Sequence, residues 1–332
     1  MHIPDNYLSP STCAVMAVIM LPVWAKAVKK VKNEVSPKKM PMLGVCGAFS
    51  FLIMMFNVPI PGGTTAHAVG GTLIAILLGP YAATIAVTIA LLIQALFFGD
   101  GGILAFGANT FNMAFVMPFV GYGIYSIIKN RVKSPKGEYI GAFIGGYVGI
   151  VAASFMASVE FGLQPLLFTD AAGKALYCPY TLQITVPAMV GIHLLVGILE
   201  GAITAAVYAY VKKMSPDVVY EDKGGSKKPL YGLLAVLVVL CPLGLLAAGD
   251  AFGEWDSDGI KSLVGYIPKG FQNGMHYNAI ASDYSIKGMN DIVGYIISAV
   301  AGIALIMIVF KVISSLRKNA ADVDNKNVKV NK

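Results

Sequence analysis

The sequence predicts an all-α fold, a polytopic membrane helical bundle of seven transmembrane helices with two more in a C-terminal extension. Apolar residues make up 56% of the 332 residues, and the mean hydropathy of +0.69 exceeds that of ordinary soluble domains. Lysine and arginine collect in short loops between the apolar runs, as in cytoplasmic loops under the positive-inside rule. The net charge of +7 is therefore explained by loops beside a lipid bilayer, which is the predicted partner. We predict no nucleic-acid partner.

The first two apolar runs place two histidines on the same side of the membrane. The run over residues 11–27 ends in a cluster of lysines, so its end is predicted to be cytoplasmic and Met1 extracytoplasmic. The run over residues 40–58 returns and delivers His67 to the outer face. His2 and His67 are therefore predicted to lie on the extracytoplasmic side.

Five further runs complete a first domain, predicted to span residues 1–213. The third run is broken at Gly79-Pro80, which predicts a short descent followed by a re-ascent to about residue 98. Three longer runs follow, over residues 106–128, 139–159 and 183–211. The last of them ends at two lysines, which places that end in the cytoplasm.

The rest of the chain predicts a linker, a small second domain and a tail. Residues 214–228 mix proline, glycine and serine with charges, which is typical of a cytoplasmic linker. Residues 229–318 predict two helices around a polar, net-negative outer segment, and residues 319–332 predict a disordered tail with a cytoplasmic C-terminus. With this topology 21 of the 25 basic residues are cytoplasmic, and the four outside are Lys174, Lys261, Lys269 and Lys287.

The N-terminus carries the strongest indication of chemistry, a histidine directly after a free α-amino group. The Met1 amine, the deprotonated amide nitrogen of His2 and the His2 imidazole can reach one metal ion as three nearly coplanar nitrogens. A fourth nitrogen closes a square, the geometry that Ni(II) and Cu(II) favour, and His67 is the best candidate. A second-position histidine alone is seldom a ligand, because histidine has many other uses, so the prediction depends on this context.

The chelate requires that the mature chain begin at Met1, and two features favour this. His2 is bulky, and the initiator methionine is normally trimmed only ahead of small residues. Residues 1–30 are not typical of a cleaved signal peptide, because their positive charges follow the apolar run instead of preceding it.

Four motifs in combination resemble one known family. They are the opening stretch Met1-His2-Ile3-Pro4-Asp5, the Pro61-Gly62-Gly63-Thr64 turn before His67, the Gly79-Pro80 break, and the stretch 94–109. Residues 1–213 thereby resemble the CbiM/NikM family, the nickel and cobalt substrate-binding (S) subunits of energy-coupling factor (ECF) transporters. Residues 229–318 resemble, by arrangement more than by motif, the small companion subunit CbiN/NikN fused in frame.

The resemblance implies a metal site made from the Met1 amine, the His2 amide and imidazole, and the His67 imidazole. It also implies a coupling transmembrane T subunit and two cytoplasmic ATPase subunits as partners in the cell membrane. The sequence contains no phosphate-binding loop of the Walker type, so the chain is predicted not to be an enzyme. The family's usual glycine after Ile-Pro-Asp is Asn6 here, a mild departure because asparagine tolerates the left-handed backbone region.

Other polar residues are candidates for supporting roles. His193 and Glu200 lie on one face of the seventh run, and a buried structural hydrogen bond is favoured there over a proton or metal role. Gln94, Asp100 and Asn109 are candidates for orienting the histidines, with helix capping as the equal alternative.

Three further features favour an ordinary structural reading. The pair Gly44 and Ala48 favours internal helix packing over docking on the coupling subunit. His276, in the outer acidic segment, favours a solvated loop histidine over a transient metal-collecting role. The four cysteines are interpreted as packing residues without a disulfide, and they are Cys13, Cys46, Cys178 and Cys241.

The predicted function is capture of Ni(II) for an ATP-driven ECF importer, with nickel as transported substrate and no organic cofactor. The same role for Co(II) feeding cobalamin synthesis is an alternative, because low-spin cobalt accepts the same ligands. An ATP-independent, cation-coupled transporter is an alternative of a different class, but the internal repeat typical of such carriers is not visible. An intramembrane metalloenzyme would need a motif such as His-Glu-x-x-His, which the sequence lacks.

Overall fold

The computed structural model describes residues 1–35, 40–215, 228–247 and 249–330. The regular secondary structure of the described residues is helical, as predicted, apart from two strands that form one small hairpin. Within these described residues, seven helical segments are long and apolar enough to cross a membrane, five in residues 1–215 and two in the C-terminal region. The chain is therefore a multi-pass membrane protein. Most of the linker predicted at 214–228 lies outside the described residues.

The seven runs of the first region form helices of unequal length. Helix α2 has 15 residues and α3 has 8, so they extend about 22 Å and about 12 Å and do not reach across a hydrocarbon core of about 30 Å. The descent and re-ascent predicted around Gly79-Pro80 is therefore a half-length helix followed by a long one. The first four helices are α1 (Pro10–Glu34), α2 (Met40–Met54), α3 (Gly71–Leu78) and α4 (Pro80–Ile93). The next four are α5 (Phe106–Thr110), α6 (Met117–Arg131), α7 (Pro135–Leu167) and α8 (Leu182–Met214).

A β-hairpin after α2 positions His67. Strands β1 (Val58–Ile60) and β2 (Thr64–Ala66) pair antiparallel. Gly62 and Gly63 form the turn with φ of +102° and +81°, a region that glycine enters without steric cost. Because β2 ends at Ala66, His67 is the first residue of the short segment that leads into α3.

Two π-helical segments flank the loop between α4 and α6. They span Gln94–Phe98 and Phe111–Val116, and such wide turns occur often at functional sites. The side chains of Gln94 and Asn112 are buried there, so both segments direct polar groups into the bundle.

Helices α6, α7 and α8 approach one another closely through glycine. A Cβ atom at Gly145 of α7 would lie 2.6 Å from the Gly121 carbonyl oxygen of α6. A Cβ atom at Gly201 of α8 would lie 2.6 Å from the Phe143 carbonyl oxygen of α7. Small residues at these crossings allow tight van der Waals packing in a membrane, and this packed layer supports α3.

The C-terminal region packs against α2. Its helices are α9 (Lys228–Leu240), α10 (Ser257–Val264), α11 (Lys269–Gln272) and α12 (Asp291–Val330), and a 3₁₀ segment spans Cys241–Leu246. A Cβ atom at Gly44 of α2 would lie 3.0 Å from the sulfur of Met307 on α12. The small-residue pair that begins at Gly44 therefore serves packing within the chain.

Helix α12 extends further than the sequence pattern indicates. Its backbone is helical to Val330, through residues for which the sequence predicts a disordered tail. Near this end Arg317 donates to the carbonyl oxygens of Lys32, at 2.8 Å, and Val35, at 3.3 Å. The C-terminal region thus caps the end of α1.

Candidate metal-binding site

The N-terminal segment, residues 1–9, lies buried at one end of the bundle, which we call the site end. Met1 and His2 are each 2% exposed, and Ile3 is fully buried. The segment has no regular secondary structure, so its backbone groups need partners from side chains and loops.

Asn109 provides the central partner. Its Oδ1 accepts from the Ile3 N–H at 2.8 Å, and its Nδ2 donates to the Ile3 carbonyl at 3.0 Å. The N–H of Gly102 donates to the same carbonyl at 2.9 Å. The amide of one buried asparagine therefore fixes the backbone directly after His2.

The following residues anchor the segment to neighbouring loops. The Asp5 carboxylate accepts from the N–H groups of Ile103, at 3.0 Å, and Leu104, at 2.8 Å. Asn6 has φ of +73°, and its side chain exchanges two hydrogen bonds with the backbone of Met275, at 2.9 and 3.0 Å. The side-chain amide thus gives Asn6 contacts that a glycine could not make.

His67 is held by main-chain groups. Its Nδ1 lies 3.1 Å from the Ala68 carbonyl oxygen, and because a carbonyl only accepts, Nδ1 carries the hydrogen. The buried Glu200 carboxylate of α8 accepts from the N–H groups of Val69, at 2.8 Å, and Gly70, at 3.1 Å. Glu200 thereby satisfies free N–H groups at the start of α3, where Gly70 provides no side-chain cap.

The imidazole rings of His2 and His67 are in contact. His67 Nε2 lies 3.1 Å from His2 Nδ1, and His2 Nδ1 also lies 3.1 Å from Asp100 Oδ1. Since His67 carries its hydrogen on Nδ1, its Nε2 presents a lone pair toward His2. A neutral imidazole that donates through one nitrogen to a carbonyl and offers the other is the usual state of a metal-ligating histidine.

Electrostatics keep both rings neutral. Burial, the larger cause, and the positive Met1 amine lower the pKa of His2 to about 4. The same two causes lower the pKa of His67 well below its usual value. Both imidazoles therefore offer lone pairs at physiological pH, whereas burial raises the pKa of the neighbouring Asp100 carboxyl.

The C-terminal region reaches the site through Glu254 and Tyr284. Glu254 Oε1 pairs with the Met1 amine at 3.1 Å. The Tyr284 hydroxyl donates to Asp100 Oδ2 at 2.5 Å and accepts from Gln94 Nε2 at 2.8 Å. The sequence analysis missed both contacts, and the acidic excess of this segment was its only indication.

The structure brings together Met1, His2 and His67, the residues predicted as ligands. The described residues contain no group of three or more His, Cys, Asp or Glu side chains that could hold a metal. A metal centre at the site end would therefore need main-chain nitrogens as well as the two imidazoles.

The remaining candidates lie elsewhere. His193 is buried in α8, and its Nδ1 lies 2.8 Å from the Met189 carbonyl oxygen, in line with the structural interpretation. His276 is exposed and lines a cleft of about 380 Å³ beside the N-terminal segment. The four cysteines are buried and free.

Comparison with known proteins identifies the family. Residues 2–218 match the CbiM family, described as the cobalt uptake substrate-specific transmembrane region. The chain belongs to the CbiM family. Residues 226–319 match the PDGLE domain, so a second known unit follows the CbiM unit in the same chain.

Relatives with both units confirm the predicted fusion. A probable fused nickel transport protein LarMN from Lactiplantibacillus plantarum is 48% identical over 321 residues, covering 94% of this chain and 97% of the relative. A fused nickel transport protein NikMN from Rhodobacter capsulatus is 42% identical over 330 residues, covering 92% and 95%. This CbiM-family chain is thus similar to nickel transport proteins along nearly its whole length.

A solved structure shares the fold of part of the chain. It is described as a truncated transition metal transporter, is 56% identical, and has a TM-score of 0.61. The match covers 64% of this chain and 99% of the solved one. The shared fold therefore extends over about two thirds of the present CbiM-family chain.

Proposed function

We propose that this chain captures Ni(II) at the extracytoplasmic face, as the substrate-binding subunit of an ATP-driven ECF importer. The approach of His67 Nε2 to His2 Nδ1, at 3.1 Å, carries the proposal. With metal–nitrogen bonds of about 2.0 Å, neighbouring corners of a square lie about 2.8 Å apart. The two ring nitrogens are thus already close to adjacent corners of such a square.

The other two corners belong to the Met1 amine and the His2 amide nitrogen. The chain itself links both to His2 Nδ1, so a single ion closes two small chelate rings. Binding requires that the Met1 ammonium group leave Glu254 and release one proton to solvent, and that the His2 amide release its proton. The ion therefore replaces protons at the site end, and binding depends on pH.

Nickel is the favoured ion. Four nitrogens that include a deprotonated amide form a strong-field square, which suits the d⁸ ion Ni(II) best. The fused relatives described as nickel transport proteins support this choice. Cobalt is the second candidate, because the matching family is described as a cobalt uptake region.

The energy for import comes from partners in this proposal. The sequence has no Walker-type phosphate-binding loop, so hydrolysis belongs to two cytoplasmic ATPase subunits joined through a coupling T subunit. The charge distribution supports an extracytoplasmic N-terminus and a cytoplasmic C-terminus.

Calorimetric titration of the untagged chain with Ni(II) and Co(II) tests the site. We expect one ion per chain, tighter binding of nickel, and the yellow absorption band of square-planar nickel. The substitution His67→Ala should weaken nickel binding at least about 100-fold, as expected on losing one of four ligands. Unchanged binding by that variant, or an octahedral spectrum, would refute the assigned ligands.

Uptake into proteoliposomes tests the transport role. We expect nickel uptake only when the T subunit, the ATPase subunits and ATP are all present. Uptake driven by an ion gradient through this chain alone would instead support a cation-coupled carrier.

A further inference from the structure

Two buried polar atoms at the site end have no hydrogen-bond partner, and their residues lie side by side. Within the described part of the chain, His2 Nε2 and Gln94 Oε1 are both unpaired. The two side chains contact the same Asp100 carboxylate, Gln94 Nε2 at 3.1 Å from Oδ2 and His2 Nδ1 at 3.1 Å from Oδ1. Buried polar atoms are seldom left unpaired, so this pair requires an explanation.

The orientation of the Gln94 amide is fixed. Its Nε2 donates to Asp100 Oδ2 at 3.1 Å and to the Tyr284 hydroxyl at 2.8 Å. A flipped amide would direct its oxygen at the Asp100 carboxylate, which only accepts when ionised. Gln94 Oε1 is therefore held on the remaining side as a free acceptor.

The metal-free state also fixes the position of the His2 proton. His2 Nδ1 lies 3.1 Å from the lone pair of His67 Nε2 and 3.1 Å from Asp100 Oδ1. Both neighbours accept, so the neutral His2 ring carries its hydrogen on Nδ1. Its Nε2 then bears a lone pair, and two acceptors, Nε2 and Gln94 Oε1, remain unsatisfied.

We propose that Gln94 is a positioning residue that accepts a hydrogen bond from His2 Nε2–H in the metal-bound state. This inference rests on the proposed function, because it requires His2 Nδ1 as a ligand. When Nδ1 forms its bond to the metal, the ring keeps one proton, which now resides on Nε2, while the amide proton passes to solvent. The two unpaired atoms then become donor and acceptor, the arrangement typical of ligating histidines.

Two substitutions distinguish the proposed hydrogen bond to His2 from the hydrogen bonds that Gln94 and Tyr284 donate to Asp100. Gln94→Leu removes the acceptor and also one donor to Asp100. Tyr284→Phe removes a donor to Asp100 and one of the two acceptors of Gln94 Nε2, but it leaves Gln94 Oε1 in place. In chelator competition with the untagged chain, Gln94→Leu should weaken nickel binding about 10- to 100-fold, as removal of a ligand's hydrogen-bond partner typically does. Tyr284→Phe should cause a much smaller loss.

Nuclear magnetic resonance of the wild-type chain gives a readout that does not depend on a variant folding. Square-planar nickel is diamagnetic, so ¹⁵N-labelled histidine should show a slowly exchanging Nε2–H on His2 only after nickel is added. In Gln94→Leu that proton should exchange quickly.

Two results would overturn the inference: nickel affinity in Gln94→Leu equal to wild type, or no protected Nε2–H in the nickel-bound chain. Nickel binding by His67→Ala shows whether the proposed ligands or the role of Gln94 is wrong. If it also binds like wild type, the proposed function fails; if only Gln94→Leu does, the role of Gln94 fails alone.

Discussion

The N-terminal segment and the segment that follows the hairpin hold their histidines in different ways. Residues 1–9 have no regular structure and depend on side chains from both parts of the chain, Asn109 in the first region and Glu254 in the C-terminal region. His67 instead lies between a strand and a helix, and Glu200 fixes the backbone after it. The groups that contact His67 and the backbone after it therefore lie in the first region, whereas His2 depends on both regions. The strand before His67 also touches the C-terminal region, since Thr64 donates to the Asp250 carbonyl at 3.0 Å and Thr65 pairs with Ala251.

The difference indicates which part rearranges when a metal binds. With the proposed ligands, the Met1 amine must leave Glu254, and the hydrogen on His2 Nδ1 must be displaced. His67 already presents a neutral lone pair, so its surroundings need not change. We therefore expect the binding free energy and the proton release to depend on the N-terminal segment. The His67 segment should instead determine how accurately the His67 nitrogen is placed.

Extension of the N-terminus should have the largest effect. One glycine added before Met1, or acetylation of its amine, removes a ligand and shifts the chelate, so tight nickel binding should be lost. Calorimetry should detect no tight site, while the same glycine added after residue 332 should change nothing. Full affinity in the extended chain would contradict any role of the N-terminal amine.

Acidification should have the next largest effect. Burial holds the pKa of His2 at about 4 and that of His67 well below its usual value, so neither ring takes up protons between about pH 8 and pH 5.5. The amide and the amine remain as proton sources, and nickel affinity should fall about tenfold or more per pH unit. A pH-independent affinity would contradict this, and a separate step near pH 6.5 would show that an imidazole titrates normally.

Asn109→Ala tests the main clamp of the N-terminal segment. The Ile3 N–H loses its partner, and a buried N–H left unpaired costs about 1–3 kcal/mol. Nickel affinity should fall about 10- to 100-fold, as measured by chelator competition. Asn112→Ala is the matched control, because Asn112 is equally buried but pairs with Glu160; an equal loss there would point to general destabilisation.

Glu200→Gln tests the His67 segment and should have the smallest effect. The amide keeps the shape of the side chain but loses the charge that strengthens its hydrogen bonds, so affinity should fall about tenfold. Combined with His67→Ala, it should cause no further loss, because both changes affect the same ligand. Additive losses would show that Glu200 acts otherwise, and Glu160→Gln serves as a control with the same chemical change.

Hydropathy and charge were sufficient to predict the fold class, because crossing a membrane requires long apolar helices with cytoplasmic lysines. They could not predict the length of α3, because the apolar run 68–78 continues through residues that form an irregular segment. His67 leads that segment, and its backbone is fixed from α8, more than 100 residues away in the sequence.

The proximity of His2 and His67 could be predicted because motif and topology agreed. The role of Glu200 could not be predicted, because its carboxylate accepts from backbone N–H groups. Nearly every residue type has such a group, so the sequence around His67 contains no sign of the contact. Glu254 and Tyr284 were missed for a similar reason. They reach the site from a region whose sequence shows only an acidic excess.

Arg317 caps the end of α1 at one end of the bundle, while Glu254 and Met275 bind the N-terminal segment at the other. The C-terminal region therefore contacts residues 1–35 at both ends of the bundle. Cleavage of the backbone within residues 216–227 should leave the two fragments associated, and two separately expressed fragments that end and begin there are expected to assemble.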